Sequence, residues 1–295
     1  MVREVKNFFN GLAFGVTQIV PGVSGGTIAI ILGFYGELIE TVNHFTEDYR
    51  KHLRFALPFL LGTIAGIIMF SSIIHYLLTN YSFPTMLFFI GLIVGIIPLV
   101  YCKVKNPGRG LEPGEIALVA LPALALMAIS ELKGVFVTNP AEIIDNMSAF
   151  FMVYIFLSGI IAAMALVIPG VSGSFVLLLL GIYPLATYSL SSIRHLLADA
   201  TNMPLMLDIG KVLLPLGIGV IIGGLSMARL IEKLLKNYYK VTYSIILGLL
   251  LGSVYVLFKE PIVFQSGTSE IIIIIGSVTF LSGCIISFYL GNKRL

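Results

Sequence analysis

Apolar residues run through the chain in blocks of two lengths. Short blocks cover 8–20 and 25–40, then 150–168 and 173–190. Long blocks cover 55–78, 84–102 and 114–132, then 211–229, 242–258 and 270–290. A helix that crosses a bilayer needs about 20 apolar residues, so the long blocks predict six spanning helices. Each short pair is hinged on a Pro-Gly break and predicts a hairpin that dips into the bilayer and returns. Non-helical backbone survives at that depth only when protein or a water-filled cavity surrounds it.

The blocks repeat. Pro21-Gly22-Val23-Ser24-Gly25-Gly26 reappears as Pro169-Gly170-Val171-Ser172-Gly173-Ser174. The same offset of 148 pairs Gly11 with Gly159, Gly33 with Gly181 and Tyr35 with Tyr183. Beyond a loop nine residues longer in the second half, an offset of 157 pairs Pro58 with Pro215, Gly62 with Gly219, Gly66 with Gly223, Gly91 with Gly248 and Gly95 with Gly252. Glycine and proline fix backbone geometry, which a repeated fold must keep. The repeats predicted are residues 1–133 and 134–295 of a single membrane domain. Residues 1–26 imitate a signal peptide, with Arg3 and Lys6 ahead of an apolar run. That reading fails because the stretch recurs in mid-chain, where no signal is cleaved.

Composition agrees on the solvent. Of 295 residues, 58% are hydrophobic and 11% charged, against about 25% charged in a soluble domain. With a net charge of +3 the chain suits neither a cytosolic enzyme nor a nucleic-acid partner. Cys102 and Cys284 are too few for a disulfide framework or a four-cysteine metal site and read as small buried hydrophobes.

The charges orient the halves. Basic residues gather in cytoplasmic loops. Arg3 and Lys6, then Arg50, Lys51 and Arg54, then Lys103, Lys105 and Arg109 fall on one side; so do Arg229, Lys233, Lys236 and Lys240, and finally Lys293 and Arg294. Both termini are therefore expected in the cytoplasm. Each repeat crosses an odd number of times, so the halves are inverted. The fold class expected is an all-α polytopic membrane protein of two inverted-topology repeats, each a broken or re-entrant hairpin plus three spanning helices.

Broken helices at matching positions of inverted halves point to a transporter site near the midplane. Ser24 and Ser172 stand where N-caps stand, and the first amides of the following helix lack helical acceptors. A helix start carries roughly half a positive charge. Gly25, Gly26 and Gly173 let another group approach the backbone. With the hydroxyls of Ser24, Thr27, Ser172 and Ser174, two such ends make a phosphate-type site that needs no lysine in the membrane. Glycine-rich breaks that serve only as hinges are the plainer account of any single copy.

The same residues admit other readings. Both motifs fit G-x-S-G, as around the serine of rhomboid proteases, but a nucleophile needs a base within reach. His44, His52 and His195 fall in loops or at interfaces, and His75 near an outer end. An intramembrane serine hydrolase is thus a weak alternative, and no phosphatase cluster is recognisable. Glu37 and Glu40 lie roughly 20 to 24 Å past Ser24 on a continuous helix, as interfacial carboxylates or as a gate or proton carrier. Gln18 precedes the first break, where it can serve the freed backbone or the ligand. Arg194 follows the second hairpin, as a solvated cation or an outer collector of anions. No cofactor is implied; a proton or cation remains open as a coupling ion, and nothing bears on oligomeric state.

The motif pair Val20–Thr27 and Ile168–Phe175, each followed by Leu-Gly-x-Tyr (Leu32-Gly33-Phe34-Tyr35 and Leu180-Gly181-Ile182-Tyr183), resembles the bacterial PopT family over essentially the whole chain. The resemblance implies a translocase, not an enzyme, in the cytoplasmic membrane, whose partners are undecaprenyl phosphate and the bilayer. It implies that the carrier lipid is returned from the outer to the inner leaflet after cell-wall polymer assembly, and that Pro21 to Thr27 and Pro169 to Ser174 bind it. The residue-level alternative is a secondary transporter of a small water-soluble anion. A lipid phosphate would need a polar centre for its head and an apolar lateral opening for its tail.

Overall fold

The computed structural model describes residues 2–19, 23–105, 111–131, 143–144, 147–198, 202–259 and 270–292. Helices account for the regular structure, with no strand among the described residues. In order they are α1 (Val2–Ile19), α2 (Gly25–Ile31), α3 (Tyr35–His44), α4 (Tyr49–Asn80), α5 (Ser82–Val104), α6 (Pro113–Ser130), α7 (Ala149–Val167), α8 (Gly173–Leu179), α9 (Tyr183–Ala198), α10 (Met203–Asn237), α11 (Tyr239–Lys259) and α12 (Glu270–Asn292). Among the described residues, seven are long and apolar enough to cross a membrane: α4, α5, α6, α7, α10, α11 and α12. The six long blocks are among them. The seventh, α7, was expected as a short hairpin arm, but its 19 residues form one unbroken apolar helix.

The helices outrun the apolar blocks. Arg50, Lys51 and Arg54, expected in a loop, lie in the first turns of α4, where Asp48 accepts a hydrogen bond from the Lys51 amide at 3.1 Å. Arg229, Lys233 and Lys236 lie in α10. Long basic side chains keep their charge in water from a helical backbone. Glu112 and Glu115 form a reciprocal capping box ahead of α6, with Pro113 in its first turn.

The short blocks 25–40 and 173–190 are not single helices. α2 meets α3 at a bend of 118°, and α8 meets α9 at 113°. The bends sit in the Leu-Gly-x-Tyr segments. Gly33 and Gly181 take φ of 66° and 71°. Phe34 N–H donates to Ala29 O and Gly33 N–H to Ile30 O; Ile182 N–H donates to Leu177 O and Gly181 N–H to Leu178 O. Both bends are Schellman caps, which need the left-handed conformation that glycine adopts freely.

The chain divides into two compact units. The first holds Met1–Glu131, Ile168–Val171 and Arg229–Leu295; the second holds Leu132–Val167 and Ser172–Ala228. In the first, a Cβ at Gly11 would fall 2.0 Å from Phe59 O, one at Gly62 2.0 Å from Phe8 O, and one at Gly66 2.4 Å from Leu12 O. Only glycine lets α1 and α4 lie this close. In the second, Gly159 meets Leu216 O, Gly219 meets Phe156 O and Gly223 meets Ile160 O at 2.5, 2.2 and 2.3 Å by the same measure. These are the offset partners of the first three contacts.

The last helices are exchanged. Within the first unit, Gly91 and Gly95 of α5 pack on Phe280 O and Cys284 O of α12, and Gly248 and Gly252 of α11 pack on Val119 O and Ala123 O of α6. The partners climb together in residue number, so each pair runs parallel. Cys102 is exposed on α5, contrary to the burial expected of it. In a chain solvated by lipid, apolar character does not distinguish the interior from the outer surface.

Candidate functional site

The two breaks meet inside the first unit. Val23 and Ser24 lead into α2, and Ile168 to Val171 form the turn after α7. Ser24, 1% exposed, is the N-cap of α2 by backbone conformation, with φ −89° and ψ 128°. Its side chain does not cap the helix. It donates instead to Ile168 O at 3.3 Å. Thr27 Oγ1, equally buried, accepts from the Gly170 amide at 3.0 Å. Gly170 has φ of 90°, and a Cβ there would lie 2.8 Å from the Leu249 backbone. The second Pro-Gly turn is thus wedged between α11 and the start of α2.

Ser172 has the same conformation at the start of α8, with φ −98° and ψ 124° and no side-chain cap. Its hydroxyl pairs with that of Ser174 at 2.9 Å. The N-cap positions expected for Ser24 and Ser172 hold, but each hydroxyl has another partner. A side chain bonded to the other break, or to a neighbouring hydroxyl, cannot also take the amide of its own helix.

Gly25 and Gly26 are buried. Phe14 and Gln18 of α1 lie over Gly25: a Cβ would fall 2.5 Å from the Phe14 ring and 2.7 Å from Gln18 Nε2. Gly173 is covered likewise by Ala162 O and Leu166. Gln18 Nε2 donates to Phe14 O and Thr17 Oγ1, both at 3.3 Å. Pro21 and Gly22 lie outside the described residues, as do Arg109, Lys293 and Arg294 and the side chains of His75, Arg194 and His195.

The carboxylates are not beside the break. The bend at Gly33 cancels the straight-helix distance expected for Glu37 and Glu40. Glu37 pairs with Arg3 at 2.6 Å and Glu40 with Lys51 at 2.7 Å. The hydrogen bond from Lys51 holds the Glu40 carboxyl below the usual carboxylate range. At the end of α3, the His44 ring lies between Glu232 and Glu47, 2.9 Å from each, and Asn43 donates to Glu232 at 2.6 Å.

Two features escaped the sequence reading. Asn7 and Asn10 of α1 are 1% and 4% exposed. The Asn7 side-chain oxygen and the Asn10 side-chain nitrogen find no hydrogen-bond partner among the described residues. The signal was a polar series at heptad spacing, Arg3, Asn7, Asn10 and Thr17, on a helix otherwise read as apolar from Phe8 onward. The other is an apolar cavity of about 670 Å³ in the first unit, walled by α1, α2, α4, α5 and α12. No linear pattern announces a cavity made by five helices.

Residues 14–271 match the family described as undecaprenyl phosphate translocase-like. The chain belongs to that family. It is 29% identical to the polyprenyl-phosphate transporter of Staphylococcus aureus over 287 residues, 97% of this chain and 95% of that protein. It is also 29% identical to the polyprenyl-phosphate transporter of Vibrio cholerae serotype O1, over 85% of this chain and 77% of that protein. No solved structure matches. Membership, with seven apolar helices, makes this a multi-pass membrane protein of a transporter family rather than an enzyme.

Proposed function

We propose that the protein transports undecaprenyl phosphate, returning it from the outer to the inner leaflet of the bacterial cytoplasmic membrane, with both termini in the cytoplasm. The similarity to two polyprenyl-phosphate transporters over most of the chain supports the substrate class. One observation carries the site: the buried glycine start of α2 is tied by hydroxyls to the backbone of the second break.

Moving an isolated anion into hydrocarbon costs on the order of tens of kcal/mol unless other dipoles replace its water. The amides of Gly25 and Gly26 have no acceptor within their helix. Thr27 accepts through its oxygen and keeps a proton to donate, and one hydroxyl of the Ser172–Ser174 pair does the same. In this reading the helix dipole adds little, because α2 is two turns long; the local donors do the holding. Pro21 to Thr27 and Pro169 to Ser174 are the phosphate-binding segments, repeated in halves we read as inverted. The parallel runs of α5 with α12 and of α6 with α11 agree with the orientation drawn from the charges. Gln18, over Gly25, lines the approach. Glu37 and Glu40, paired with Arg3 and Lys51, act as an inner gate, and Arg194 as an outer collector of the head group.

The test is the full chain in vesicles. Undecaprenyl phosphate should cross faster than in protein-free vesicles, and Ser24→Ala with Thr27→Val should weaken its binding about tenfold while the protein stays folded. Uptake of a small phosphate without lipid movement would replace this reading with that of an anion transporter. Unaltered binding by the double variant would remove the motif from the site.

A further inference from the structure

We propose that the 670 Å³ cavity of the first unit is the berth of the isoprenoid tail, holding the segment nearest the head group while the rest lies in the bilayer. This rests on the transport reading above.

Position is the first argument. The cavity is walled by Val16 and Thr17, in the last turn of α1 before the first break, and by Ile28 and Ile31, just after Thr27. It therefore begins within a residue of the segments proposed to hold the phosphate. From there it runs along α4 and α5 to Leu77 and Tyr81 at the turn between them.

Chemistry is the second. Thr17, Thr85 and Thr279 reach the wall, but each hydroxyl donates to a backbone carbonyl: Phe14 O at 2.7 Å, Tyr81 O at 2.6 Å and Pro84 O at 2.8 Å. The wall is thereby made apolar despite its hydroxyl residues. A head group or a water-soluble solute would lose its hydration there and gain no partner. A hydrocarbon chain gains free energy on leaving water but nothing comparable on leaving lipid, so such a berth selects by fit and stays exchangeable with the bilayer.

Shape is the third. Buried Ile31, Ile74, Phe89 and Leu92 form the floor, and exposed Ile73, Ile275 and Ile286 the rim. The rim residues stand on spanning helices, so the mouth opens sideways to lipid. At roughly 30 Å³ for a methylene-sized group, taken from the share of a water molecule, the volume suits roughly twenty carbons, about four isoprene units.

The experiment uses the full chain in detergent and compares three ligands: undecaprenyl phosphate, geranyl phosphate with two isoprene units, and inorganic phosphate. Ala13→Phe narrows the cavity from α1. Ile73→Trp closes the rim at an exposed position that tolerates bulk, and adds the sole tryptophan to a chain that has none. Each should weaken undecaprenyl phosphate binding at least tenfold, weaken geranyl phosphate, whose two units fill only the near half of the berth, by a smaller factor, and change inorganic phosphate less than twofold. Ser24→Ala with Thr27→Val should weaken all three. Equal losses across ligands in both cavity variants, or none, would overturn the berth. If the cavity variants behave as expected and the Ser24–Thr27 variant changes nothing, the head-group site fails and the berth stands. If native mass spectrometry finds that Ala13→Phe sheds a co-purified phospholipid while undecaprenyl phosphate binds as before, the cavity seats an ordinary bilayer lipid and the proposal falls.

Discussion

The first and second bent hairpins have one scaffold and two chemistries. Each ends its short helix in the same Schellman cap, and each leading helix packs on a long one through the same glycine–carbonyl contacts. The side chains diverge. Asn7, Asn10, Thr17, Gln18, Thr27, Glu37 and His44 of the first correspond, at the offset of 148, to Ile155, Ser158, Ala165, Leu166, Phe175, Leu185 and Ser192 of the second. Ile155 and Leu185 are core residues of the second unit, packed with Ile182, Val212 and Leu216. Glycine and turn positions keep the backbone in both copies. Polarity is concentrated in one, so the hairpins can share a fold without sharing a task.

The largest expected effects test the shared scaffold. Gly62→Val and Gly219→Val each push a side chain into a carbonyl 2.0 and 2.2 Å from the new Cβ. Overpacking of this kind costs about 1–3 kcal/mol or more. Both should lower the thermal unfolding midpoint by similar amounts, and a variant that tolerates valine in one copy alone would break the equivalence.

A smaller effect, with opposite signs for stability and transport, tests the divergence. A buried polar group without a partner costs about 1–3 kcal/mol. Asn7→Ile with Asn10→Ser installs the residues of the second copy in the first. The variant should unfold at higher temperature and move undecaprenyl phosphate more slowly. A gain in stability with unchanged transport would show the amides to be inert.

The smallest concerns pH. His44 lies outside the spanning helices, and its hydrogen bonds to Glu232 and then Glu47 raise its pKa above the ordinary 6.5. A raised folded-state pKa stabilises fully below the unfolded value and is lost as pH rises through the folded one. The protection of residues 40–47 against hydrogen exchange, taken relative to the intrinsic rate at each pH, should therefore fall as pH climbs past that raised value, and this fall should be absent in His44→Gln. The second hairpin has Ser192 at this position, so residues 188–195 should show no such step.

Much of this was legible in the residues. The offsets of 148 and 157 located the glycines that contact carbonyls, because close backbone packing admits no other residue. The breaks were found for the same reason. The bends at Gly33 and Gly181 were missed although their signal was present: a glycine after an apolar turn, followed by an aromatic residue, is a C-cap pattern. Asn7 and Asn10 give little signal because they flank the start, at Phe8, of an apolar stretch that dominates the pattern. Helix ends were drawn short because Arg50 and Lys233 read as loop, whereas their stems run along helical backbone. The exposure of Cys102 and the pairing of α5 with α12 were beyond reach, since apolar periodicity names a face but not its partner.

That pairing sets a timetable for biogenesis. Thr279 of α12 donates to Pro84 O of α5 across 195 positions of chain. A ribosome adds about 5–20 residues per second, so the glycine face of α5 waits on the order of 10 to 40 s for the helix that covers it. The groove of α6 waits a shorter time, since its partner α11 is made before α12, and both glycine faces lack these partners until then.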